Sequence, residues 1–314
     1  METKLNYKRT FLIGLAFLSI CSFWQMYDNI IPLILQNTYH LGETMTGAVM
    51  ALDNVLAIFL LPVCGMLSDK VHTKLGRRMP FIVVGTILAV IFMMMLPMID
   101  NAEKARWATG GSFSNQVFFL GVLFLTLVSM GLYRSPAVAL MPDVTPNHLR
   151  SRANAVINLM GAVGGVYALI MIKVLVGKGE TPDYLPLFAS IAAVMAIAVG
   201  ILVITIRENK LREEVEKAEA ANADTIEEKA MAEGVEAAGE IEAVGDTGEA
   251  KAFEEKQQTA KTESTKDMPK DVKRSMYFML ASIFLWFTAY NAVTTAFSRY
   301  TKVVWKMEGG SFAN

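Results

Sequence analysis

Predominantly apolar runs of about twenty residues recur at seven places along the chain: 11–36, 46–67, 80–99, 116–140, 153–176, 185–206 and 276–298. Short polar segments separate the first six. At 1.5 Å per residue, about 20 residues cross a hydrocarbon core of about 30 Å as a helix. The pattern predicts an all-α polytopic membrane protein. Six spans come in quick succession, and a seventh follows a long polar interval. That interval, 207–273, is rich in Glu, Ala and Lys, carries Gly234, Gly239, Gly245 and Gly248, and contains no bilayer-length run. Its start, from Arg207 to about Ala230, is expected to continue as a charged helix, and the rest reads as a largely disordered linker with no chemistry of its own. The chain thus divides into a six-span unit, 1–206, a charged linker, 207–273, and a last piece, 274–314, holding span 7.

Polar residues that interrupt the apolar runs mark the faces that cannot meet lipid. In span 1, Gln25, Asp28, Asn29, Pro32 and Gln36 fall at helical spacing on one face. An ionisable group at that depth costs about 2.5–3.5 kcal/mol or more, so the face must look into protein or water. Span 2 carries Asp53-Asn54. Both carboxylates lie about two turns from the same end of their helices, which predicts similar depth on antiparallel neighbours. Span 4 carries Arg134 before Pro136, nearer the opposite end, where snorkelling is the structural alternative to a functional role. In span 5, Asn154, Asn158, Gly161 and Gly165 share a face, and Gly161-x-x-x-Gly165 permits close helix approach. In span 7, Tyr290, Asn291, Thr294, Thr295 and Ser298 form a polar stripe. The run Met93-Met94-Met95 reads as packing.

Composition agrees with the pattern: 53% of residues are hydrophobic and the mean hydropathy is +0.38. A formal net charge of −1 conceals segregation, with basic groups beside the spans and acidic groups in the linker. That distribution excludes a nucleic-acid partner. Lys and Arg crowd the N-terminus, the loop after span 2, the loop after span 4 and the linker, which places these in the cytoplasm by the positive-inside rule. Segments 37–45 and 100–115 fall outside. Lys4, Lys8 and Arg9 precede span 1 as in a signal peptide, but the apolar run continues too far and no A-x-A-like site follows, so it reads as a retained first span. Cys21 and Cys64 sit within apolar runs as free thiols, and His40, His72 and His148 have no metal-ligand spacing. With no Gly-rich phosphate loop and no nucleophile–base pair, neither an enzyme nor an ATP-driven pump is expected.

The most informative stretch joins spans 2 and 3: Gly65-Met66-Leu67-Ser68-Asp69-Lys70, then Gly76-Arg77-Arg78-Met79-Pro80-Phe81-Ile82. It resembles the signature loop of the major facilitator superfamily, stretched by a few residues between Lys70 and Gly76. In that form, and in the span-4 segment Tyr133-Arg134-Ser135-Pro136-Ala137-Val138-Ala139-Leu140-Met141-Pro142-Asp143, it is similar to the sucrose:proton symporters and the related glycoside–pentoside–hexuronide:cation symporters. The resemblance implies the six-helix N-terminal half of a major facilitator fold plus one helix of the second half. It implies cation-coupled symport of a sugar or glycoside, driven by H⁺ or Na⁺, with no other cofactor.

From that resemblance Gly65, Asp69, Lys70, Gly76, Arg77 and Arg78 are expected to form a cytoplasmic gate motif, with topological anchoring as the compatible plainer role. Asp28 and Asp53 are the candidates for the cation site, since two carboxylates at one depth can share a proton or hold Na⁺. Trp24, Gln25, Asn29, Arg134, Tyr290 and Asn291 are candidates for substrate contact. The loop motif's second copy and spans 8 to 12 do not appear by Asn314, so the resemblance implies a fragment or truncation whose transport site needs the missing C-terminal half. The alternatives are a half-transporter acting as a sensor or partner subunit, and a proton-coupled exporter of another small solute. Short loops suit a bacterial inner membrane, with the chain multi-pass and its N-terminus cytoplasmic.

Overall fold

The computed structural model describes residues 5–71, 73–109, 115–177, 182–217 and 270–305. Among them there is no strand, and the elements are helices: α1 (Tyr7–Asn37), α2 (Glu43–Lys70), α3 (Met79–Ala108), α4 (Gln116–Asp143), a 3-10 turn (Asn147–Leu149), α5 (Arg150–Leu175), α6 (Leu185–Thr205), a helical segment at 208–217, and α7 (Lys270–Val304). Six of the described helices are long and apolar enough to cross a membrane. Helices suit that setting because each satisfies its own backbone groups without water.

Except at α6, which ends at Thr205 where the span was expected to run to 206, the helices are longer than the expected spans. The largest difference is at α3, which continues through 100–108, expected as loop. Burial explains the extension. Asp100 is fully buried and pairs with Lys104, one turn on, at 2.6 Å. Lys104 Nζ also donates to the Pro182 carbonyl at 2.7 Å and lies over the Tyr184 ring, 4.7 Å from its centroid. Asn101 donates to Asp183 Oδ1 at 2.7 Å, which holds the Asp183 carboxyl below its usual range. Charges that look like loop residues in the sequence therefore form a clasp that ties the end of α3 to the segment before α6. Gly110 and Gly111 lie outside the described residues, as does His72.

α1 packs most extensively on α5, and α3 on α4; α2 lies on α4, and α6 on both α1 and α3. Glycines set the closest approaches. A Cβ at Gly164 would land on the Leu18 carbonyl, and Ser22 Oγ donates across the same seam to the Gly164 carbonyl at 2.9 Å. A Cβ at Gly161 would stand 3.0 Å from Cys21 Sγ, whereas one at Gly165 would meet only Gln25 Oε1, at 3.8 Å. The close-approach pair is thus Gly161 and Gly164, not Gly161 and Gly165, because α1 crosses one residue earlier on the helix face. Asn154 and Asn158 of α5 are exposed. On α3, Gly85 sits where a Cβ would fall 2.7 Å from the Tyr133 backbone nitrogen. Tyr133 itself is fully buried, with its hydroxyl 2.6 Å from Ser19 Oγ and 3.0 Å from the Ala16 carbonyl. These contacts bind α1, α3, α4 and α5 into one core.

The six-helix unit does not stop at Ile206. In the segment 208–217, Glu208, Leu211 and Val215 are buried at helical spacing, and Glu214 pairs with Arg9 of α1 at 3.2 Å. Residues 218–269 lie outside the described residues. α7 is a continuous helix over the stretch expected as span 7; along it Trp286 and Tyr290 stack with ring centroids 5.7 Å apart.

Candidate functional site

Asp28 sits nine residues before the end of α1, and Asp53 ten residues after the start of α2. At 1.5 Å per residue those are depths of about 14 and 15 Å from the same end. The two carboxylates are half-buried and lie within electrostatic reach of each other. Asn54 Nδ2 donates to Asp53 Oδ1 at 2.9 Å.

Arg134 of α4 completes the group. Counting residues alone puts its backbone nearer the other end of the bundle. Its long side chain makes up the difference: the guanidinium lies over the Trp24 ring, 5.5 Å from the centroid, and within electrostatic reach of Asp53. Trp24 is one turn before Asp28 on α1. Three helices therefore bring two carboxylates, one guanidinium and an indole face together. With all three groups ionised, their formal charge is −1.

Trp24 packs edge-on against Phe23 and Tyr27, with centroids 5.3 and 5.4 Å away. Trp24 Nε1 and the Tyr27 hydroxyl are buried polar atoms with no hydrogen-bond partner among the described residues. Tyr27, 1% exposed, lies within electrostatic reach of both Asp28 and Asp53. Sequence reading passed over it because a tyrosine in an apolar run looks like core.

The other expected contacts fall elsewhere. Gln25 faces the α5 seam at Gly165. Asn29 is buried and donates to the Gln25 carbonyl at 2.7 Å, so its amide nitrogen is turned back on its own helix. Tyr290 is exposed on α7, and the side chain of Asn291 lies outside the described residues.

At the end of the bundle that carries the turn 73–78, a second constellation forms. Thr73 and Gly76 exchange backbone hydrogen bonds, and Gly76 takes φ +128°, which favours glycine. The turn aims Arg77 and Arg78 at two acids. Arg77 Nη2 and Arg78 Nε both meet Asp143 Oδ2, at 2.9 and 2.8 Å. Arg78 Nη2 reaches Asp69 Oδ1 at 2.8 Å, and Arg77 Nε lies 3.7 Å from the same oxygen. Arg78 Nη1 also donates to Ser68 Oγ at 2.8 Å. The network joins α2, the head of α3 and the tail of α4. Gly65 lies on α2 facing Ser135 of α4, with 3.5 Å between an added Cβ and Ser135 Oγ. Lys70 is exposed at the end of α2.

Sequence reading missed Glu208. It follows the last span and was assigned to the linker. Its carboxylate is 1% exposed and accepts the backbone N–H groups of Arg77, Arg78 and Met79 at 2.9–3.0 Å. No local spacing could have shown it, because partner and acceptor are about 130 residues apart in the chain.

Known proteins with similar sequence are sucrose transport proteins. The rice protein SUT3 (Oryza sativa subsp. japonica) is 26% identical over 137 residues, which covers 41% of this chain and 27% of the relative. SUC4 of Arabidopsis thaliana is 36% identical over 117 residues, covering 35% of this chain and 22% of the relative. SUC3 of the same plant is 28% identical over 120 residues, covering 36% and 20%. The matched stretch thus spans only about a fifth to a quarter of each relative's length. The family model described as Major Facilitator Superfamily matches from residue 7 to residue 311, and with that match over nearly its whole length the chain belongs to the major facilitator superfamily.

Proposed function

We propose that this chain serves cation-coupled sugar symport, with sucrose or a related glycoside as the substrate class and H⁺ or Na⁺ as the coupling ion. The observation that carries the reading is the convergence of Asp28, Asp53 and Arg134 beside the face of Trp24. A sugar binds by stacking its apolar face on an aromatic ring and bonding its hydroxyls to charged groups. A symporter also needs a charge that only the coupling ion neutralises. The −1 cluster supplies the second requirement, and Trp24 with Arg134 supplies the first. The partly matched sucrose transport proteins support the substrate class.

The Arg77/Arg78–Asp69/Asp143 network serves as the cytoplasmic latch, parting and re-forming as the two halves rock about a site between them. The basic loops put this end and the N-terminus in the cytoplasm, in a cell membrane such as the bacterial inner membrane.

Arg134→Gln tests the sugar site without any ion gradient. In proteoliposomes bearing the complete gene product, exchange of labelled sucrose against unlabelled sucrose falls about tenfold or more, because a charged hydrogen bond is worth about 1.5–3 kcal/mol. Arg134→Lys retains the charge without the planar fork and falls in between. Exchange by Arg134→Gln at the parental rate contradicts the assignment.

A further inference from the structure

Arg77 and Arg78 do not hold themselves in place. They follow a turn that is stiffened from within, among the described residues, by the Thr73–Gly76 pair. The remaining restraint comes from the far side of α6. Glu208 gathers three successive amides, those of Arg77, Arg78 and Met79, on its two carboxylate oxygens. The next residue, Asn209, donates from Nδ2 to the carbonyls of Thr73 and Lys74, at 3.0 and 3.3 Å. Two adjacent side chains therefore hold both arms of the turn, one by its N–H groups and the other by its carbonyls.

The fit is close: a Cβ at Gly76 would collide with the Glu208 carboxylate. Glu208 is buried, and the backbone amides, the positive end of the α3 dipole and the Arg77 guanidinium, which lies within electrostatic reach, supply its counter-charge. Leu211 and Val215, buried one and two turns further on, fix the segment that bears it, and Arg9–Glu214 ties that segment to α1.

We infer that Glu208 and Asn209 are positioning residues for the arginine pair: the first turn after α6 is a fastener that sets how Arg77 and Arg78 meet Asp143 and Asp69, and it links the linker mechanically to the loop network. The linker's head is then not a passive spacer. The inference stands on the contacts alone. If the ion-pair network is also the transport latch proposed above, the fastener sets the latch.

Hydrogen–deuterium exchange on the complete gene product in lipid nanodiscs tests it, and the readout needs no transport. In Glu208→Ala, amides of 77–79 exchange about tenfold faster or more, as expected for lost bonds to a buried charge. The loosening also reaches the tail of α4 around Asp143–Thr145, because Asp143 loses the arginines' fixed geometry. Glu208→Gln, which keeps the shape and a neutral acceptor, gives a smaller increase in both segments. Asn209→Ala raises exchange in the turn and the α4 tail without touching Glu208, and it serves if Glu208→Ala does not fold. Unchanged exchange at 77–79 overturns the inference. So does faster exchange confined to 77–79 with the α4 tail unmoved, which makes Glu208 a local cap only. Sucrose exchange in the same preparations reports on the symport reading separately.

Discussion

Asp28→Asn and Asp53→Asn, made one at a time in the complete gene product, abolish gradient-driven accumulation of sugar while leaving a folded protein. With Asp28, Asp53 and Arg134 ionised, the empty site carries −1, and the cost of an uncompensated charge away from water opposes its passage through an occluded state. A proton or Na⁺ removes that charge, which makes the loaded form the one that moves and so couples the two fluxes. Asparagine removes the charge permanently. The empty site is then neutral and no longer needs the ion. A potential of 100 mV supplies about 2.3 kcal/mol per charge moved, equivalent to about fifty-fold accumulation. The variants bring that ratio to about one, and their uptake loses its dependence on the coupling ion. Accumulation equal to the parent in either variant removes that carboxylate from the coupling site.

Gly164→Ala costs about 1–3 kcal/mol of stability, toward the upper end of what overpacking costs. The added methyl meets the Leu18 backbone carbonyl rather than a side chain that can turn aside. Moving α1 away to make room also stretches the Ser22–Gly164 hydrogen bond. Gly165→Ala is the control. It lies on the same helix one residue on, its methyl meets only Gln25 Oε1 at ordinary contact distance, and alanine is the better helix former. Thermal unfolding in detergent should show Gly164→Ala clearly less stable than the parent and Gly165→Ala near it. Equal stabilities for the two variants would show that α1 and α5 do not meet at Gly164.

The membrane helices were legible because each carries its signal locally, in about twenty consecutive residues. The similar depth of Asp28 and Asp53 was legible for a related reason: two helices joined by a tight loop return to the same end, so residue counts locate both acids. Counting failed for Arg134, because it places a backbone and not the end of a long side chain, which here reaches Trp24 and Asp53. It failed at 100–108 as well, where the sequence shows charges but not their burial against Lys104 and the segment before α6. Glycine spacing suggested a close seam on α5 and missed by one residue which glycine bears it. Glu208 was out of reach altogether, since its acceptor role exists only once α6 has returned to the end where α3 begins.

Everything proposed for Asp28, Asp53 and Arg134 depends on sugar moving together with a cation. The measurement that tests it most directly is the initial rate of labelled sucrose uptake into proteoliposomes bearing the complete gene product, with and without an imposed proton or sodium gradient. Uptake should rise above the equilibrated level under one of the two gradients and collapse when an ionophore dissipates it. Uptake that is indifferent to both gradients, or absent with sucrose and glycosides alike, would contradict it.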